Sequence, residues 1–321
     1  MGEHEHLPFE YHIEDEEVVI TKYIGNDTRV RVPEEVNGKE VTKIGDYAFS
    51  ERSNLTEVIL PKTLKCIGAY SFRECRGLTS LELHENISEI QSHAFYNCRG
   101  LRALSLNRSD IKVGDGALKN CEQIEEISIH SDSDKVPALK HIIEELPQDL
   151  TASICYKVPD TKWEVRLVFP RDAVFYSDFT TRLYNPIVQG SGHRYRLSAT
   201  NGNIDYERYD SIFAGALSEL PDEQLLEITI ARLMKPYGLK ETYLEQYLAF
   251  LKEHFDMALE KVIFCQAMDE LVFLLEQHLV TEEQLEEAIN YAREKNRVEC
   301  TQRLLQYKND HFSKRNQEFD L

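Results

Sequence analysis

Several things are scarce in this chain of 321 residues, and each scarcity removes a class of function. There is one tryptophan and there are four methionines. Seven cysteines, an odd number in no disulfide-like spacing, point to thiols in a reducing compartment rather than to a cross-linked scaffold. No apolar run approaches the roughly 18–20 residues that span a bilayer. Met1-Gly2-Glu3-His4-Glu5-His6 lacks the basic start and apolar core of a signal peptide, so a cytoplasmic location is expected. Basic charge is short as well: 37 Lys and Arg stand against 56 Asp and Glu, a formal charge of −19. A nucleic-acid or anionic-membrane binder carries the opposite footprint, so neither partner is expected. Signature chemistry is missing too. There is no G-x-S-x-G, no glycine-lysine phosphate loop, no H-E-x-x-H and no C-x-x-C.

What is present is a repeat. From Val41 to His130 the apolar residues recur every 23 positions. Ile44, Ile67, Ile90 and Val113 form one row; Phe49, Phe72, Phe95 and Leu118 form another. Leu55, Leu78, Leu101 and Ile124 make a third row, Val58, Leu81, Leu104 and Ile127 a fourth, and Leu60, Leu83, Leu106 and Ile129 a fifth. Ala48, Ser71, Ala94 and Ala117 keep the same register. A fixed period of about 20–29 residues around L-x-x-L-x-L marks a leucine-rich repeat solenoid. Four copies are read over 41–130, the last degraded by Leu118 and Asp110 as a terminal copy should be.

Ile-Gly-x-x-Ala-Phe, then Cys, then Leu-x-x-Leu-x-Leu resembles the BspA-like leucine-rich repeat of bacterial proteins. In copy two the residues carrying the likeness are Lys65-Cys66-Ile67-Gly68, Ser71-Phe72, Cys75 and Leu78 through Leu83. Ile24 to Pro33 and Asn37-Gly38-Lys39 look like the cap that precedes such arrays. The resemblance implies a fold and a habit of binding, including surface adhesion, and supplies no catalytic residues.

Residues 1–40 read as a polar tail and a capping hairpin, with strands at Val18–Ile20 and Val30–Val32 joined through Gly25-Asn26-Asp27. His4, His6 and His12 are solvated tail residues. Cys75, Cys98 and Cys121 step by 23, and sulfurs strung along a line cannot gather at about 2.3 Å around one ion. They are read as core, and His84, Asn107 and His130 as loop residues closing strand ends. No metal ligand and no cofactor is therefore expected.

The connecting segment, 131–204, reads as a small α/β stretch. A helix covers Leu139–Leu146, and strands cover Ile154–Val158, Trp163–Phe169 and His193–Leu197. Gly190-Ser191-Gly192 is a tight turn leading into the last of these. Lys162, Arg166, Arg171, Arg182, Arg194 and Arg196 make this the one locally basic stretch. From 205 to 321 the apolar spacing turns helical. Leu259-x-x-Val262-Ile263 with Leu274-Leu275, and Leu285-x-x-Ala288-Ile289 with Leu304-Leu305, resemble ankyrin-like hairpins, at spacings of 26 at the start and 30 at the end.

The fold class is thus an α/β leucine-rich repeat solenoid of 23-residue repeats, a small α/β middle segment and an all-α helical-hairpin array. The expected function is non-catalytic: a monomeric interaction or scaffold protein. Its sheet face offers Glu57, Ile59, Ser80, Glu82, Ala103, Ser105, Glu126 and Ser128 to another protein of basic or polar surface. One alternative is an enzyme with its site near His193, Arg194 and Arg196. Another is a cell-surface adhesin.

Overall fold

The structure, a computed structural model, describes residues 7–158, 161–175, 187–200 and 202–312. His4, His6 and Arg182 lie outside these. The chain divides into two compact units, residues 1–212 and 213–321.

The first unit begins with a hairpin of β1 (Phe9–Glu14) and β2 (Glu17–Tyr23), in antiparallel register from Phe9↔Tyr23 to Glu14↔Glu17. Its two-residue turn, Asp15-Glu16, has φ of 48° and 66°, the positive pair that matches strand twist in tight hairpins. Next come β3 (Arg29–Arg31), β4 (Glu35–Val36) and β5 (Lys39–Ile44). The hairpin expected between Val18–Ile20 and Val30–Val32 does not form. Instead β2 runs parallel to β5, and β3 runs parallel to β6 (Glu57–Ile59). Residues 17–36 already wind like a coil of the solenoid, so their alternating valines serve two different sheets.

The repeat then alternates two rows of strands, the first continuing the β2–β5 sheet and the second forming a sheet of its own beside the β3–β6 pair. One row holds β7 (Cys66–Ile67), β9 (Glu89–Ile90) and β11 (Lys112–Val113), the other β8 (Ser80–Leu83), β10 (Ala103–Leu106) and β12 (Glu126–Ser131). Pairing is parallel and in register at the 23-residue step, as Ile67↔Ile90 and Leu104↔Ile127 show. The interior is a set of stacked identical side chains. Phe49, Phe72 and Phe95 are fully buried, with ring centres 4.9 and 5.3 Å apart and planes within 13°. Tyr23 extends the pile by another ring at 5.3 Å, and Phe9 closes over Tyr23 and Phe49.

Each coil turns its corner through two residues of positive φ, also at the 23-residue step. One row is Tyr47, Tyr70, His93 and Gly116; the other is Glu51, Glu74, Asn97 and Asn120. These corners direct N–H groups along the solenoid axis. Tyr47, Tyr70 and His93 donate to Ala69, Ser92 and Asp115 of the next coil; Phe49, Phe72 and Phe95 donate to Ser71, Ala94 and Ala117. Glu51, Glu74 and Asn97 likewise donate to Arg73, Tyr96 and Lys119, so the series would strand three donors at the last coil. Glu145, on helix α1 (Pro137–Glu145), takes two of them, accepting from Gly116 N at 2.5 Å and Leu118 N at 2.7 Å. Gln148 adds the converse, donating to the Cys121 and Ile124 carbonyls.

The sheet does not stop at the fourth copy. Strand β13 (Leu150–Val158) lies parallel on β12, and β14 (Thr161–Phe169) returns antiparallel, giving the order β14-β13-β12-β10-β8. A small hairpin, β15 (Ala173–Phe175) with β16 (Ile187–Gln189), precedes α2 (Ser191–Arg196), and α3 (Tyr206–Ser211) ends the unit. The strand expected at His193–Leu197 is therefore a helix. Its buried residues are Ser191, Gly192, Tyr195 and Arg196, a helical spacing that a buried arginine hides from any hydropathy reading. Gly192 is needed because a Cβ there would lie 2.2 Å from the Arg171 carbonyl oxygen. Tyr209 of α3 is buried, and its hydroxyl both donates to the Val168 carbonyl (2.6 Å) and accepts from Val168 N (3.0 Å). It does for β14 what a further strand would do.

The second unit is helical: α4 (Phe213–Ala216), α5 (Asp222–Met234), α6 (Glu241–Glu253), α7 (Phe255–Cys265), α8 (Met268–Glu276), α9 (Glu282–Glu294) and α10 (Val298–His311). The last four form two hairpins with one period of 30 throughout, which corrects the drifting spacing. Gln266 and Asn296 are both left-handed, and Ala267 N and Arg297 N bond back to Val262 O and Ala292 O. Buried Leu259 therefore corresponds to Ile289, and Phe255 to Leu285. Thr281 and Gln284 make a reciprocal capping box at the start of α9.

Candidate interaction surface

On a strand with leucines at every second place, the residues between them must point the other way. The registers bring those residues into line across the sheet: Ser80, Ala103 and Glu126 in one row, Glu82, Ser105 and Ser128 in the next. Six of the eight anticipated residues line one shallow depression of about 450 Å³, which continues to Thr151, Ser153 and Arg166. Glu57 and Ile59 stand on β6 outside that lining. Glu57 is neutralised by Arg29, 2.8 Å away on β3. Glu82 accepts from the Asn107 amide at 3.2 Å, while Glu126 is exposed. The face is thus less uniformly acidic than eight residues suggest, because β3 and β14 add arginines to it.

Sequence reasoning missed β13 and β14 as part of this face. The signal was there: Thr151, Ser153 and Cys155 alternate with buried Ala152, Ile154 and Tyr156 in the same in-and-out pattern as the repeats. It was overlooked because these positions break the 23-residue frame.

The other repeating residues resolve into structural roles. Cys75, Cys98 and Cys121 are buried, and each thiol donates to the carbonyl of the phenylalanine one coil back, at 3.1, 3.0 and 3.2 Å. Burial pushes the thiols of Cys75 and Cys121 up to about 12 and that of Cys98 further still, so none is a nucleophile or a ready ligand. In copy one Arg52 stands in this row, and its guanidinium donates to Tyr23 O at 2.5 Å, the corresponding carbonyl of the capping coil. His84 places Nε2 3.0 Å from Leu60 O and Asn86 donates to Lys62 O, closing strand ends. Among the described residues no group of three or more His, Cys, Asp and Glu is placed to hold a metal ion.

The corner geometry, phenylalanine ladder and thiol-to-carbonyl bonds recur together, and residues 34–139 match the profile of the BspA type leucine rich repeat region in six copies. This stretch is a BspA-type leucine-rich repeat region. Six copies exceed the four read from the five full apolar rows. A search of curated proteins finds no match. Among solved structures the chain is similar to a leucine-rich repeat protein of T. pallidum, at 24% identity over 38% of this chain and 69% of that one, with a TM-score of 0.34. A leucine-rich repeat protein of Bacteroides capillosus shares 29% identity over 35% of this chain and 86% of its own, with a TM-score of 0.32. A leucine rich cell surface protein of Faecalibacterium prausnitzii shares 22%, over 48% of this chain and 41% of that protein, with a TM-score of 0.35.

Behind the leucine-rich repeats, the residues of the enzyme alternative are dispersed. Arg196 is 5% exposed. Its guanidinium donates to the carbonyls of Leu146, Gln148, Pro170 and Gly192 and lies 3.3 Å from the Asp172 carboxylate. Arg194 is exposed and donates to Ser191 Oγ at 2.7 Å. His193 and Arg196 do share the lining of a second cavity, of about 470 Å³, with Lys140, Glu144 and Asp172. Burial raises the Asp172 carboxyl above its usual range, against the pull of Arg196 and His193. What this arrangement does chemically is fasten α2 to the β13–β14 end: the arginine is spent on backbone. Among the described residues no helix is long and apolar enough to cross a membrane.

Proposed function

We propose that this is a non-catalytic interaction protein whose leucine-rich repeat sheet receives another protein, in the depression between Ser80 and Arg166. One observation carries the reading. Outward residues of four adjoining strands, Glu82, Ser105, Ser128 and Ser153, line a single continuous hollow floored by small side chains. Small residues on rigid strands let another backbone approach closely. Glu82 and Glu126 favour a basic or polar group over an apolar one, and Arg166 gives the opposite end the opposite sign. A contact of this kind gains specificity and association rate from charge more than raw affinity. The absence of an aromatic anchor from the lining fits a modest affinity.

The test is a cross-linking capture from native extract with a photoreactive residue at Ser105, run beside the same protein carrying Ala103→Arg. Partners captured by the first and lost with the second support the hollow as the site. The same captured set with both would place binding elsewhere. An adhesin would use the same surface, and capture restricted to extracellular partners would favour that form of the reading.

A further inference from the structure

We propose that His278 and His311 form a two-histidine site for a borderline divalent transition ion of the zinc class. His278 lies in the loop between α8 and α9, and His311 is the last residue of α10. They are 33 positions apart, and no motif links them. Both side chains are exposed and both turn about one residue, Tyr307. His311 Nδ1 lies 3.0 Å from the Tyr307 carbonyl oxygen, and His278 Nδ1 lies 3.3 Å from the Tyr307 hydroxyl.

That hydrogen bonding decides which nitrogens are offered. A carbonyl can only accept, so His311 Nδ1 must carry the proton and Nε2 the lone pair. A hydroxyl serves either role, so His278 can adopt the same tautomer at little cost. An Nδ1 anchored on oxygen with Nε2 presented is the second-shell arrangement found behind metal-bound imidazoles.

The separation fits as well. With a metal–nitrogen bond of about 2.0–2.1 Å, an imidazole ring centre lies about 3.2 Å from the ion. Ring centres 5.6 Å apart, as found here, would subtend roughly 120° at an ion on which both Nε2 atoms converge, within reach of a tetrahedral site. His278 also holds a φ of 54°, where glycine is the easy residue after a helix, so its side chain is kept at a cost in backbone strain. Imidazole donors select zinc, copper and nickel over magnesium or calcium. With two protein ligands, the remaining positions fall to water or to a side chain of a bound partner.

The experiment titrates the full chain with ZnCl₂ at neutral pH by calorimetry. The expected result is saturable binding of one Zn²⁺ per chain with a thermal midpoint that rises with the ion. Affinity should fall roughly tenfold or more in His278→Asn, which tolerates the left-handed backbone, and in His311→Ala. It should be unchanged in His141→Ala, another exposed histidine. On the unaltered protein, Zn²⁺ should shield both imidazoles from diethyl pyrocarbonate, a readout that no folding defect can confuse. No saturable binding, binding undiminished in the double variant, or no shielding of these two rings would overturn the site.

Discussion

Two repeats share this chain, and they record themselves in sequence very differently. In the solenoid every coil meets its neighbour twice, through backbone bonds at the corners and through identical side chains stacked ring on ring. The leucine, isoleucine and phenylalanine rows are therefore held close to one type as well as one polarity, and the 23-residue frame is plain. In the helical hairpins the backbone bonds are made inside each helix, and neighbours meet mainly through apolar packing, with scattered side-chain bonds such as Arg297 to the Phe264 carbonyl and Lys308 to Glu286. At one equivalent position α5, α7 and α9 carry Arg232, Val262 and Ala292, all buried. A ladder demands sameness from its rungs; a stack of helices asks only for fit.

The largest expected effect tests that contrast directly. Phe72→Ala removes a ring held between two others and should cost about 3–5 kcal/mol in chemical denaturation. Leu259→Ala in α7 should cost about 2–5 kcal/mol, and adjoining helices can shift to fill part of its cavity. A second change, Phe95→Ala on top of Phe72→Ala, should show strong non-additivity because the pair is in contact. Simple additivity would mean that the stacked rings act independently and would remove the basis of the comparison.

Next in size is the cap. Glu145→Ala leaves two half-buried N–H groups without their carboxylate and should lower stability by about 2 kcal/mol or more, from about 1–3 per orphaned group. Hydrogen exchange at Gly116 and Leu118 should speed up first. Unchanged exchange there would show that the last coil needs no acceptor.

A chemical contrast follows. At pH 8 the thiols of Cys75 and Cys121, pushed to about 12, stay protonated as well as buried, while exposed Cys265 is open to reagent. Alkylation of the native protein should label Cys265 and spare the ladder until unfolding, as mass spectrometry of peptides would report. Early labelling of Cys98 would mean that the coils open locally.

The smallest effect belongs to the hairpins. Gln266→Gly should raise stability by up to about 1 kcal/mol by relieving a left-handed glutamine, and Asn296→Gly should gain less because asparagine tolerates that conformation. A loss at either site would show that the side chain, not the backbone, governs the turn.

Legibility tracked these physical differences. The rows Ile44 to Val113 and Phe49 to Leu118 were readable because stacking forbids drift, and the outward strip followed from strand alternation alone. The cap was not readable in the same way: β2 and β3 look like a hairpin, since alternation reveals that a strand exists and not which sheet it joins. Strand β13 was seen, but its place on the face was not, because Thr151, Ser153 and Arg166 have no counterparts at the 23-residue step. Arg196 misled most. A guanidinium buried on four carbonyls is invisible to any scale that assigns charge to the surface, so α2 read as a strand and its arginine as a candidate for chemistry.

Glu145 has one more consequence. A solenoid coil is a template, and an end with bare donors invites whatever can supply carbonyls in the same rhythm, including the first coil of another molecule. One carboxylate straddling Gly116 N and Leu118 N fills two of those positions at the corner, while β13 lying on β12 covers the sheet beside it. A chain cut ahead of α1 would lose both covers together and bare the backbone donors of the last coil.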